Sequence, residues 1–206
     1  MQHNQTKITL SKDELELVTN AQILLTKNGI IQKVYQLFGS LAEQYTQHSM
    51  EFCGEEITRI HPKISKGENY LGLPYVMLDY PRIFAKDEVF AMRTMFWWGN
   101  FFSITLQLKG SYQQHFAPVL ISNKKLLAEI GFFVAVSNDE WRHDFEPENY
   151  QPLTENGDLL ENAIKGDFLK IAVRISLEQW NDAANVLAGY HEMLVRLLAD
   201  QLEPMR

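Results

Sequence analysis

Cysteine is nearly missing from this chain: Cys53 is the only one in 206 residues. A single thiol excludes an internal disulfide and leaves no thiolate cluster for zinc, which fits a reducing cytoplasm. With no Cys-His arrangement around it, Cys53 reads as an inert small hydrophobe. Glycine is sparse where phosphate chemistry would need it, since Gly29, Gly39, Gly54, Gly67 and Gly72 never fall into GxGxxG or GxxxxGK spacing. His-Glu-x-x-His and Gly-x-Ser-x-Gly are also missing, so the common hydrolase signatures do not apply. Basic residues are outnumbered, 19 Lys and Arg against 26 Asp and Glu, for a net charge of -7. That balance argues against nucleic acid or an anionic membrane as the main partner. Long apolar runs are lacking too. The densest, residues 95–106, is too short for a bilayer and is interrupted by Gly, Asn, Ser and Thr. The amino terminus, MQHNQTKITLSKDELEL, has no apolar core of the signal-peptide kind, and the expectation is a cytoplasmic protein.

What is present is enough apolar material, 46% of residues, to bury a sizeable core in one domain spanning 1–206. The segment that organises it is residues 88–109, EVFAMRTMFWWGNFFSITLQLK. In its second half Phe102, Ile104, Leu106 and Leu108 alternate with Phe101, Ser103, Thr105, Gln107 and Lys109, the period of a half-buried strand. The first half could start a helix capped by Asp87, but Gly99-Asn100 between aromatic flanks is a two-residue turn signal and favours a hairpin. In that register Trp98 faces Phe101, Trp97 faces Phe102, and Arg93 faces Leu106 on the core side, with no evident partner.

Around this hairpin the chain reads in order. Ser11 and Glu14 form a capping box that starts a first helix with Leu17, Val18, Ala21, Leu24 and Leu25 as its apolar stripe; Asn28-Gly29 stops it. A second helix follows, with Ile31, Val34, Leu37, Phe38, Leu41 and Tyr45 at helical spacing, so the two are expected as an antiparallel pair. Residues 49–69 lose all periodicity and read as a solvated connection or a flap. Residues 73–80 form a strand that ends at Pro81. A turn at Asn138-Asp139 makes residues 131–146 a second hairpin, with His143 on its apolar face and Arg142 and Asp144 on the other. A last strand alternates Leu169, Ile171, Val173 and Ile175 with Lys170, Ala172 and Arg174, and a long closing helix follows. The expected fold is α+β: an antiparallel sheet of about five or six strands, with the N-terminal helix pair and the long C-terminal helix packed on one face.

Candidate chemistry lies in polar residues at the ends and faces of aromatic strands. Asp79, Tyr80 and Arg82 share one corner, and Arg93, Arg142, His143 and Asp144 flank the two hairpins. A His oriented by a carboxylate is a general base, which makes His143 and Asp79 the candidate catalytic pair; arginines clamp acidic groups in a fork. The competing structural account is a hydrogen-bonded core histidine and a surface Arg142–Asp144 pair. No close-spaced ligand pair supports a metal, and no cofactor motif is present. Because Trp97-Trp98 and Phe101-Phe102 are adjacent pairs, one member of each must leave the main core. The resulting second aromatic patch needs a cover: a ligand, a segment such as 50–69, or another subunit.

The run from 73 to 110, with LPYVMLDYPR followed by RTMFWWGNFFSITLQLKG, resembles an uncharacterised family of bacterial cytoplasmic proteins with no assigned activity. The resemblance covers the central third, implies a bacterial origin and transfers no catalytic residue. Three readings follow from the residues themselves. The first is a small-molecule-binding or sensing protein with a groove formed by Trp97, Trp98, Phe101, Arg93, Tyr80, Arg82 and Arg142. The second is an enzyme that uses His143 and Asp79 on an acidic or polar substrate. The third is a homodimeric interaction module built on the second sheet face.

Overall fold

The computed structural model describes residues 8–52 and 55–199, so Cys53 lies outside the described residues. The first helix, α1 (Lys12–Thr19), begins at a complete capping box. Glu14 N donates to Ser11 Oγ over 3.2 Å, and Ser11 N donates to the Glu14 carboxylate over 2.7 Å. Asn20, with ψ at 87°, breaks this helix. Its side chain accepts from Gln22 N and starts α2 (Ala21–Phe52). The expected antiparallel helix pair is therefore not what forms. Asn28-Gly29 does not stop the chain, and α2 continues through it as one helix of 32 residues. A glycine inside a helix costs only about 1 kcal/mol. That is outweighed by the buried stripe of Ile31, Val34, Phe38, Leu41 and Tyr45 that follows it.

A short α3 (Glu55–Thr58) leads into four strands in succession: β1 (Lys63–Tyr70), β2 (Leu73–Phe84), β3 (Val89–Trp97) and β4 (Phe101–Lys109). Next come α4 (Ser111–Ser122), α5 (Lys124–Ile130), β5 (Phe133–Ala135), β6 (Tyr150–Pro152), α6 (Leu159–Ala163), β7 (Phe168–Ser176), a single 3-10 turn, and α7 (Ala183–Ala199). The architecture is α+β on an antiparallel sheet, with seven strands rather than five or six, in the order β1-β2-β3-β4-β7-β5-β6. The additional strands are at the edges. KISKGENY of β1 is too polar to show a hydrophobic period, yet its backbone pairs with β2 from Lys63 opposite Asp79 to Tyr70 opposite Leu73.

The register of the central hairpin differs by one residue from the sequence expectation. Its turn is Trp98-Gly99-Asn100, with Gly99 at φ +71°, and the closing pair is Trp97 opposite Phe101. A one-residue slip exchanges the faces of a strand. Trp98 therefore packs on the main core beside Phe96, and Arg93 moves to the other face, opposite Thr105 and next to Asp79. Rows across the sheet now separate cleanly. On one face Val76, Phe96, Phe102 and Ile175, then Leu78, Thr94, Ile104 and Val173, then Met92, Leu106, Ile171 and Val134 lie side by side. With α2, α4 and α7 they form the principal core.

The second hairpin also takes a different course. Residues 141–145 do not pair with β5; β6 does, and residues 136–149 leave the sheet to cross its second face. Here the amides of His143 and Asp144, which a hairpin would have used in a ladder, donate instead to the Tyr70 hydroxyl over 2.6 and 3.1 Å. We call this crossing segment the strap.

Leu106 is fully enclosed between sheet and helices. Leu106→Ala is expected to lower the unfolding free energy by about 2–5 kcal/mol, the range for a core leucine that leaves a cavity, read from urea denaturation.

Candidate functional site

The second face of the sheet is built in rows that run from apolar to charged. Tyr75, Trp97 and Phe101 make the aromatic row, followed by Met77, Met95, Ser103 and Arg174. Then come Asp79, Arg93, Thr105 and Ala172, and beyond them Ala91, Gln107 and Lys170. The strap, together with Tyr70 at the end of β1, covers most of this. Phe145 meets Phe101 edge-on at 5.0 Å and stacks on Tyr150 at 4.8 Å, and Tyr70 closes over Trp97 at 5.2 Å. The patch that needed a cover thus obtains it from its own chain, and Trp97, Phe101 and Met95 are buried.

Arg93 is the hub of the polar part. Its Nε donates to Asp79 Oδ1 over 2.6 Å, and its Nη1 lies 3.2 Å from His143 Nε2. Since an arginine can only donate, His143 accepts at Nε2 and carries its proton on Nδ1. Burial first, then the charges of Lys170 and Arg93, hold the His143 pKa well below its ordinary value, so the ring is neutral. Among the described residues Arg93 Nη2 makes no hydrogen bond. Its guanidinium lies 5.5 Å from the Phe84 ring and 5.9 Å from that of Trp141. Those two rings are 6.2 Å apart and both partly exposed, Trp141 more than Phe84.

Asp144 anchors the strap. Burial pushes its carboxyl up, but the bidentate fork from Arg142, at 2.7 and 3.1 Å, and the Tyr70 hydroxyl outweigh that and hold it below the usual carboxylate range. Tyr70 accepts from two amides and donates to Asp144, so its hydroxyl is fully used. Deeper in, Lys170 is buried without a carboxylate. Its ammonium donates to the carbonyls of Glu140 and Arg142 and sits 5.6 Å from the Tyr150 ring. Burial, and then repulsion from Arg93, lower its pKa to about 7. Glu140 instead takes Gln107 at 2.8 Å and Lys109 at 3.5 Å.

The structure brings Trp97, Phe101, Arg93, Asp79, His143 and Arg142 to this one face. His143 and Asp79 do not touch each other; they meet through Arg93. Three other residues named from the sequence lie elsewhere. Tyr80 is in the principal core, Trp98 packs against that core, and Arg82 donates to the carbonyl of His61 over 2.8 Å. Tyr70, Lys170 and Glu140 were not foreseen. Their only sequence signal is Lys170 beside Ala172 within a strong strand, which a solvated face explains equally well. Among the described residues no group of three or more His, Cys, Asp or Glu is placed to hold a metal, and no helix is long and apolar enough to cross a membrane. Compared with known proteins, the chain matches no family model, no curated protein and no solved structure.

Two outcomes follow from this geometry. Asp79→Asn leaves the Arg93 charge enclosed without its counter-ion and is expected to cost roughly 3–5 kcal/mol in urea denaturation. Adding Arg93→Met in the same chain should recover much of that loss, because no unpaired charge then remains. The second outcome is a pH dependence. Lys170 titrates near 7 in the folded protein against 10.5 for an unperturbed lysine, so between those values the unfolded chain holds more protons. Stability should therefore rise with pH across that window, with a slope of up to about 1.4 kcal/mol per pH unit from this group. Lys170→Met should flatten the slope just above neutrality, and an unchanged slope would reassign it to other groups.

Proposed function

We propose that the chain is a small-molecule-binding or sensing protein whose ligand is acidic and is held at the second sheet face, at the rim between the strap and β3. The observation that carries this reading is Arg93. Its charge is fixed by Asp79 and His143, its Nη2 is unused, and its exposed side is roofed by Phe84 and Trp141. A planar carboxylate or phosphate ester that parts the two rings would keep aromatic contact on both sides and gain a charge-assisted bond to the guanidinium. The Arg93 charge favours an anion over a neutral ligand, and Lys170, whose ammonium donates to two carbonyls, adds to it at and below neutral pH, while Arg142 is already paired with Asp144 and Glu148.

The aromatic groove expected from the sequence takes a changed form in this reading. Trp97 and Phe101 are the buried floor that supports the strap, while Phe84 and Trp141 supply the accessible rings. In this reading a ligand displaces Trp141 to reach Arg93, so binding and movement of the strap are one event.

The test is a thermal-shift panel of aromatic and aliphatic carboxylates and phosphate monoesters, followed by titration of any hit through tryptophan emission. Trp141 is 54% exposed, so Trp141→Ala should leave the melting temperature of the free protein close to that of wild type. It should weaken a hit by about tenfold, the loss expected for a desolvated cation and ring contact of 1–2 kcal/mol. A panel without a single acidic hit, or equal affinity in Trp141→Ala, would remove the support for this site.

A further inference from the structure

On the strap side of β7, Lys170 shares its face with Ala172 and Arg174, but Arg174 is exposed whereas Lys170 is enclosed, at 1% exposure. No other lysine or arginine among the described residues is buried so fully, and no carboxylate of those residues forms an ion pair with it. Its Nζ donates to the Glu140 carbonyl over 2.8 Å and to that of Arg142 over 2.5 Å. An ammonium brings three N–H donors, and here the third has no acceptor among the described residues; a neutral amine brings two, which the two carbonyls satisfy, and keeps a lone pair. Because a buried donor without a partner costs free energy, these surroundings suit the amine better than its charged form. The pKa of about 7, set by burial and then by the Arg93 charge, agrees with that. At neutral pH about half of the chains hold the free base, against on the order of one in a thousand for an ordinary lysine.

The two carbonyls that hold this amine flank Trp141, whose ring roofs Arg93. A movement of the chain at Trp141 that bares the guanidinium also shifts the carbonyls on either side and frees the amine. An anion clamp and a nucleophile therefore lie behind one flap. In the sheet, Lys170 stands opposite Gln107, and Gln107 opposite Ala91, two residues from Arg93. Two strand spacings across and two residues along separate the backbone positions of Arg93 and Lys170 by about 12 Å.

We propose that Lys170 is a covalent attachment site, whose amine condenses reversibly with the carbonyl group of an aldehyde or ketone acid while Arg93 holds the acidic end. This rests on the reading of Arg93 as an anion clamp and names the ligand class for it. The separation of the two residues calls for an acid and a carbonyl several bonds apart, and a planar aromatic spacer suits the Phe84 and Trp141 rings. In the reaction the amine nitrogen attacks the carbonyl carbon to give a carbinolamine. The C–O bond then breaks, both amine hydrogens leave with the oxygen as water, and a C=N bond remains, with no oxidant or reductant consumed. An imine nitrogen keeps at most one N–H, so at least one of the Glu140 and Arg142 carbonyls loses its donor. Attachment thus favours the lifted strap over the closed one, and such a differential interaction is what shifts a conformational equilibrium.

The experiment treats the full chain at pH 7 with 4-formylbenzoate and cyanoborohydride, which reduces the imine to a stable secondary amine, and locates the adduct by peptide mass mapping. Lys170 is expected to be labelled at least about tenfold faster than any exposed lysine, as its larger free-base fraction implies. Benzaldehyde, which lacks the acid, should label Lys170 at least about tenfold more slowly, and excess benzoate, which occupies Arg93 without reacting, should slow 4-formylbenzoate by a similar factor. Lys170→Met should lose this adduct, and the mapping of the wild-type chain gives the same answer without a variant. Labelling of exposed lysines alone overturns the proposal. So does labelling of Lys170 that is as fast with benzaldehyde and unaffected by benzoate, because the amine would then act apart from Arg93. The anion site is judged separately: a benzoate-induced rise in melting temperature that Trp141→Ala diminishes, without an adduct on Lys170, keeps that site and overturns the covalent step alone, whereas the absence of both removes the two readings together.

Discussion

The register of the β3–β4 hairpin is the constraint on which the other parts depend. Closing the turn at Trp97 and Phe101 sends Phe96, Phe102, Ile104 and Leu106 to the helices and places Arg93 opposite Thr105 and beside Asp79. A one-residue slip of β3 against β4 would bury the Arg93 guanidinium among leucines and put Phe96 under the strap, two errors that each cost several kcal/mol. The same choice sets β7, which pairs with β4 and thereby places Lys170, Ala172 and Arg174 on the strap side. The two faces are therefore specified together. One is a close-packed apolar layer under three helices, the other a polar and aromatic layer under a strap of irregular chain.

That second layer is expensive to build, and its composition shows how the expense is contained. Buried charges are stable only when paired and fully hydrogen-bonded. Arg93 pairs with Asp79 through one short bond, and Arg142 with Asp144 through a bidentate fork. Lys170 has no such pairing, and its pKa falls accordingly. Aromatic rings fill the space between the charged groups, and Arg174 lies over Phe133 and Phe145 at 5.6 and 5.3 Å. The principal core has its own polar inclusion of smaller size. The Tyr45 hydroxyl lies 3.0 Å from Thr94 Oγ1, and its ring stacks on His191 at 3.8 Å. Burial holds His191 down to about 3, so it remains neutral inside the apolar layer.

Elements whose period decides their burial were legible in the sequence. Ile31, Val34, Phe38, Leu41 and Tyr45, then Phe102 to Leu108, Leu169 to Ile175, and Leu187, His191, Leu194 and Leu198 of the closing helix are buried as their spacing indicates, whereas Leu37, Trp180 and Ala184 are only half-buried. Arg174 lies opposite those four β7 side chains, as alternation requires. Elements fixed by tertiary contacts were not legible. Strand β1 has no hydrophobic period because it is an edge, and only Gly67 hints at its packing: a Cβ there would come within 2.5 Å of the Tyr75 ring. Gly99-Asn100 carries the stronger local turn signal, yet the packing of Trp98 on the core adds a third residue to the loop. Around the candidate site, Arg93 and His143 could be named because they interrupt apolar patterns. Asp79 could be named as well, but not as the partner of Arg93, which lies on the neighbouring strand, and Tyr70 at the end of an edge strand could not.

The strap ties the fold to the candidate site. Residues 136–149 contain no regular structure, and ordering such a chain costs on the order of 1–2 kcal/mol per residue in backbone entropy. What offsets this is the sheet face beneath: Tyr70 takes two strap amides, Lys170 takes two strap carbonyls, and Phe145 fills the aromatic row. The fastenings are uneven along its length. The Phe145 end is held by buried rings, whereas the Trp141 end rests on an exposed ring, on the Glu140 carboxylate with Gln107 and Lys109, and on a lysine that loses its charge near neutral pH. Local opening draws on the weakest contacts first, so the end over Arg93 is the part of the strap with least to lose on lifting. In the proposed reading that end lies beside the Arg93 guanidinium, whose Nη2 makes no hydrogen bond among the described residues.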